Sequence, residues 1–140
     1  MRDLLKKLNY KGQQRIAVLG AEENFYTALT NEIQGVIMDK EVDQRCPYGF
    51  LIIFVKTAAE VEQIVPVAVH NLTADGIMWF CYPKKTSKNY KSDLERDRGW
   101  KVLNDTGFFG VRMVSVDNDW SAIRFRNVKF IKSSSGRFAR

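Results

Sequence analysis

Apolar positions in this chain fall into short, separated runs whose spacing alternates between two periods. Residues 15–20, RIAVLG, form a compact apolar run closed by glycine, as a buried strand ending in a turn does. In the AEENFYTALTNEI that follows, Phe25, Leu29 and Ile33 stand four apart, on one face of a helix. GVIMD at 35–39 reads as a second short strand, and EVDQRCPYG as a loop. FLIIFV at 50–55 is aromatic and branched throughout, which suits a central strand buried on both faces. Thr57 and Glu60 form a capping box, after which Val61, Ile64, Val65, Ala68, Val69 and Leu72 fall on one helical stripe. Pro66 lies within that stripe and predicts a kink or an early end. DGIMWFCY at 75–82 predicts another strand. Ser92 with Glu95 predicts a second capped helix running to Gly107. FFGVRMVSV and SAIRFRNVKFIK then flank the turn DNDW, which predicts an antiparallel hairpin.

Strands alternating with helices imply a mostly parallel sheet between helix layers. One connection is tight. Residues 40–49 must carry the chain back across the sheet, and at about 3.3 Å per residue they do so only when nearly extended. A single α/β domain is expected over 1–132, with 133–140 as a flexible tail.

Composition changes this picture little. Hydrophobic residues make up 45% and charged residues 27% of the 140, as in an ordinary globular domain. No apolar run is long enough to span a membrane, and MRDLLKKLNYKG has no secretory core. Cys46 and Cys81 are expected as free thiols, consistent with a reducing cytoplasm. Charge adds more. Residues 1–20 carry five basic groups and one acidic, 84–101 seven and three, and 121–140 six and none, whereas 21–83 carry three and nine. That asymmetry is compatible with an anionic partner or with solvated faces.

The segment from Phe50 to Pro83 is similar to the second half of class I S-adenosylmethionine-dependent methyltransferases, and the order of elements from 50 to 131 follows theirs. Nearly the whole chain resembles a family of short bacterial proteins classed as a domain of unknown function. The resemblance rests on KLNYKGQQRIAVLGAEENF, WFCYPKKTSK and VSVDNDWSAIRF. It implies a three-layer Rossmann-like sandwich of about six strands, mostly parallel, with a C-terminal antiparallel hairpin. It implies no particular reaction.

In such a fold the cofactor lies beyond the carboxyl ends of the first strands, where a glycine-rich turn lets the backbone approach it. Here Gly20 is followed by Ala21, Glu22 and Glu23, with no second glycine, and the two carboxylates oppose that of the cofactor. Asp39, nineteen residues after Gly20, stands where a ribose-binding acid would be, or is a solvated loop residue. S-adenosylmethionine in its usual mode is therefore not expected. Gly20, Ala21, Glu22, Asp39 and Tyr82 are candidates to line a cleft, and a methyltransferase with an atypical turn is the enzymatic alternative.

His70, the only histidine, lies off the apolar stripe, which argues against histidine-activated nucleophiles and common zinc sites; no catalytic or metal-binding residue is assigned. PKKTSK follows a strand end. Lys84, Lys85 and Lys88 offer ammonium groups, Thr86 and Ser87 hydroxyls, and the helix capped by Ser92 its positive end, which together suit an anion such as a phosphate group. The bland alternative is a solvated turn whose hydroxyls cap backbone. Trp120 is either a plug within its turn or an exposed anchor for a protein partner. Tyr82, Tyr90 and Trp100 near the lysines could stack on bases, but nucleic-acid binding is expected to be weak and non-specific at most. The leading expectation is a non-catalytic cytoplasmic domain that binds a small anion or a protein partner.

Overall fold

A computed structural model describes residues 1–132. The expectation of a flexible tail at 133–140 falls outside the described residues. Six strands and four helices follow the order α1 (Arg2–Lys7), β1 (Arg15–Leu19), α2 (Glu23–Glu32), β2 (Ile37–Asp39), β3 (Tyr48–Phe54), α3 (Ala58–His70), β4 (Leu72–Pro83), α4 (Lys101–Asp105), β5 (Phe108–Ser115) and β6 (Trp120–Asn127). They form one sheet in the order β2-β1-β3-β4-β6-β5. The first four strands are parallel, and β6 runs antiparallel to both β4 and β5. The architecture is the Rossmann-like α/β sandwich with a C-terminal antiparallel pair that the strand pattern predicts.

Alternation along the strands divides the core in two. On one side of the sheet Leu51, Ile53, Met78, Phe80, Ile123 and Phe125 pack against Val61, Val65 and Ala68 of α3 and Leu103 of α4. On the other, Phe50, Ile52, Phe54, Ile77, Trp79 and Cys81 pack against Leu5 and Leu8 of α1 and Tyr26 and Leu29 of α2. The strands buried on both faces are therefore apolar without interruption, whereas the helices carry one apolar stripe each. Since α2 leads from β1 to β2 on one face and α3 leads from β3 to β4 on the other, the direction in which strands are added reverses between β1 and β3. Their carboxyl ends form the switch point at which open α/β sheets place ligands.

The 35–39 strand is short and pairs in parallel with β1, and the crossover to β3 is a loop of 40–47 without a helix, as its length requires. Helix α3 is capped by Thr57, whose side chain accepts the Glu60 amide, and runs through Pro66 to His70, which is exposed. Two elements differ from the sequence pattern. Helix α1 lacks a side-chain cap and long periodicity, but Leu5 and Leu8 bury it, and the Leu8 carbonyl accepts the indole Nε1–H of Trp79 at 2.8 Å.

The helix predicted from Ser92 to Gly107 exists only as Lys101–Asp105. Gly99 adopts a φ of +101°, which interrupts any helix there, and Trp100 is fully buried with its indole donating to the Glu95 carbonyl at 2.7 Å. Ser92 is not an N-cap. Its hydroxyl accepts the Leu94 amide and donates to the Lys56 carbonyl. No helix begins at Ser92 to turn its positive end toward the PKKTSK segment, contrary to the expectation from sequence.

Candidate functional site

Three strand ends meet at the top of the sheet: Leu19 of β1, Phe54 of β3 and Pro83 of β4. Gly20 follows Leu19 with a φ of +72°. A Cβ built on it would lie 2.7 Å from the Phe54 carbonyl oxygen, so the missing side chain lets β1 and β3 abut. The turn then passes directly into α2, whose N-cap Glu22 makes no side-chain cap. Beside it lies a cavity of about 270 Å³ bounded by Glu22, Phe25, Phe54, Tyr90, Asp117, Asp119 and Trp120. The GAEENF turn and the segment after β4 thus face a common space that aromatic rings partly fill.

Trp120 is only 7% exposed. It pairs with Pro83 in the β4–β6 ladder, stands edge-on to Phe54 at 5.0 Å and lies 5.1 Å from Tyr90. It closes the end of the core, so the structure does not present it as an exposed anchor. Its location in an Asx turn explains the unusual composition: Asp117 Oδ1 accepts the backbone amides of both Asp119 and Trp120.

Of the cleft candidates, Gly20, Ala21 and Glu22 are together and two others lie elsewhere. Tyr82 projects to the opposite side of the sheet, where it is buried edge-on to Trp100 at 5.5 Å and its phenol is pushed up to about 12 by burial. Asp39 lies opposite Ala17, two residues short of the β1 end. Both its oxygens are engaged. Arg15 donates from Nε at 2.7 Å and from Nη2 at 3.3 Å, and the Tyr48 hydroxyl donates at 2.5 Å. The Arg15 guanidinium and the Tyr48 hydroxyl hold the Asp39 carboxyl below the usual carboxylate range. Asp43, between Arg45 and Arg15, is lowered to about 2. The expected ribose acid is a structural ion pair at the base of the β2–β3 loop.

The PKKTSK residues form a turn pinned to the β5–β6 hairpin. The Lys84 amide donates to the Asp119 carbonyl at 2.7 Å, and Ser87 donates its hydroxyl to Asp119 Oδ1 at 2.7 Å while accepting the amides of Asn89 and Tyr90. Lys84 Nζ reaches Ser115 Oγ at 2.7 Å. Lys85 pairs with Glu95 at 2.8 Å, but 75% of its side chain is exposed, so that pair adds little. Thr86 and Lys88 are exposed. Behind the turn lies a second cavity, of about 420 Å³, lined by Lys84, Lys85, Lys91, Ser87, Ser92 and Tyr90, with no carboxylate among its lining residues. The Lys56 ammonium sits 5.1 Å from the Tyr90 ring centre. Lys91 was not legible as a site residue, because only the fold of the 84–100 segment brings it to this wall.

No family model matches this chain, and no curated protein does. Solved structures do resemble it. N-methyltransferase NodS from Bradyrhizobium japonicum shares 14% identity over 90% of this chain and 93% of its own, with a TM-score of 0.58. A SAM-dependent methyltransferase from Aquifex aeolicus shares 13% over 91% and 89%, with a TM-score of 0.59. The fold is that of the class I methyltransferases. Phosphoethanolamine N-methyltransferase 2 from Haemonchus contortus shares 16% over 94% of this chain, at a TM-score of 0.58, and the chain spans 38% of that enzyme's length.

The site does not fit S-adenosylmethionine in that fold's usual mode. The glycine at the turn serves strand contact, Asp39 is engaged by Arg15 and Tyr48, and Glu22, Asp117 and Asp119 place three carboxylates around the cavity at the switch point. Among the described residues no group of three His, Cys, Asp or Glu gathers to hold a metal.

Proposed function

We propose that this chain is a non-catalytic ligand-binding domain on a methyltransferase-like fold, and that its ligand is a small anion of the phosphate type. The observation that carries the reading is the cavity of about 420 Å³ at the carboxyl end of β4, walled by three lysines and two serines and by no acidic side chain. Lysine ammonium groups act on a phosphate as point charges with freely rotating donors. Tyr90 and Leu94 give the wall an apolar portion, so the ligand carries an organic part beside its charge.

A methyltransferase with an atypical cofactor turn is the second reading. Its support is the shared fold and the cavity at the switch point, where that fold places its cofactor. Calorimetry separates the two. Inorganic phosphate and a phosphomonoester are expected to bind, and Lys84→Gln/Lys91→Gln to abolish the heat while leaving the fold intact. S-adenosylmethionine is expected to give none. Micromolar affinity for S-adenosylmethionine would reverse the ranking, and phosphate binding untouched by the lysine substitutions would remove the first reading.

A further inference from the structure

Three arginines crowd β5 and β6 on the side of the sheet that also carries α1 and α2. Arg112 lies directly opposite Arg124 in the antiparallel ladder, and Arg126 follows two residues along β6 on the same side. Directly opposed residues of such a pair hold their Cβ atoms about 5 Å apart, and like charges there are destabilising. Asp75 neutralises one of the three, accepting from Arg126 Nε at 2.7 Å and Nη2 at 2.6 Å. Among the described residues no ion pair neutralises Arg112 or Arg124. Arg124 is half-buried, and its Nε is shielded from solvent with no hydrogen-bond partner. An orphaned donor of this kind costs stability. Because the side chain lies on the sheet without a bond at Nε, swinging it outward to meet an anion sacrifices none there.

The charge extends beyond the strands. Trp79 is the register partner of Arg124, and its indole donates to Leu8 at the end of α1, whose last turn carries Lys6 and Lys7. Helix α1 and Arg124, far apart in sequence, are thus brought to the same side of the sheet by Trp79.

We propose that this face docks the phosphate backbone of a nucleic-acid strand, without base specificity. A flat array of guanidinium and ammonium groups fits a polymer with evenly spaced charges, whose non-specific binding is almost wholly electrostatic. A protein partner would need a buried apolar or aromatic anchor. Among the described residues Met113, the exposed large hydrophobic side chain of these two strands, pairs with Ile123 and projects from the opposite side, and Phe109, opposite Arg126 on the arginine side, is half-buried. The lysine cavity takes no part, so this proposal stands or falls separately from the small-anion reading.

The test is fluorescence anisotropy with labelled single-stranded DNA and RNA of roughly 20 nucleotides, at about 50 and about 200 mM salt. Three phosphate contacts, from Arg112, Arg124 and one α1 lysine, give a log–log salt slope near −2, a loss of roughly 15–20-fold in affinity across that range. Arg112→Gln/Arg124→Gln should bring the slope to about −0.7 and weaken binding at the lower salt by roughly tenfold or more. Arg124→Met should weaken binding while raising the urea midpoint, a combination that a purely structural arginine would not give. Lys84→Gln/Lys91→Gln should leave nucleic-acid affinity unchanged. Wild-type affinity in the double arginine variant, or no binding at the lower salt, overturns the proposal. So does equal binding of polyglutamate through the same arginines, which would assign the face to an acidic protein segment.

Discussion

Replacing Gly20 by alanine separates a glycine held for ligand approach from one held for strand contact. Two costs apply at this position. The backbone sits at a φ of +72°, where an L side chain meets the following carbonyl, at roughly 1–2 kcal/mol. The added methyl would also lie 2.7 Å from the Phe54 carbonyl oxygen, and backbone at the end of a central strand has little room to yield. Overpacking of this kind typically costs a further 1–3 kcal/mol. Gly35 provides the reference, since its φ is +77° but nothing lies within 4 Å of a Cβ built there. Gly35→Ala carries the conformational cost alone, reduced by about 0.4–1 kcal/mol because alanine also restricts the unfolded chain.

Gly20→Ala should therefore cost about 2–4 kcal/mol and Gly35→Ala about 1 kcal/mol or less, the difference reporting the Phe54 contact. With a urea slope of about 2 kcal/mol per molar, a difference of about 2 kcal/mol separates the two midpoints by roughly 1 M. Urea denaturation followed by circular dichroism measures both. If Gly20→Ala unfolds within about 0.5 kcal/mol of Gly35→Ala, the strand ends are not in contact as described. The turn would then have room for a ligand, and the case against the usual cofactor mode would lose its first support.

Two further outcomes follow from the buried polar contacts. The Asp39 carboxyl is lowered by its bonds from Arg15 and Tyr48, so its stabilisation is fully present above the ordinary value of 3.8 and is lost as pH falls through the folded value. Asp39→Asn should lower stability at neutral pH and flatten the acid loss below pH 3.8, read as urea midpoints against pH; an unchanged acid limb would refute the assignment. Trp79→Phe removes the indole donor to the Leu8 carbonyl and should cost about 1–3 kcal/mol, with faster hydrogen exchange confined to α1; unchanged exchange there would show that this bond does not hold the helix.

The parallel core was legible because uninterrupted apolar runs such as FLIIFV and IMWFCY admit only a buried strand, and the Thr57–Glu60 pair marks its helix start locally. The 92–107 segment misled for the opposite reason. Its Ser92–Glu95 spacing imitates a cap, but Gly99 and the burial of Trp100 decide the backbone there, and both are tertiary effects. Local spacing also could not settle Asp39. Its position after a strand matches a ribose acid, whereas its partners, Arg15 and Tyr48, come from strands 24 residues upstream and nine downstream. The period of two in Arg124 and Arg126 was visible in SAIRFRN, but Arg112 joins them only through the register of the hairpin, which the β5 irregularity between Gly110 and Arg112 shifts. The residues at the methyltransferase-like positions are thus explained by the contacts they make in this chain. Gly20 abuts the end of β3, Asp39 ties the β2–β3 loop to β1, and Arg112 and Arg124 lie on β5–β6, away from the switch point.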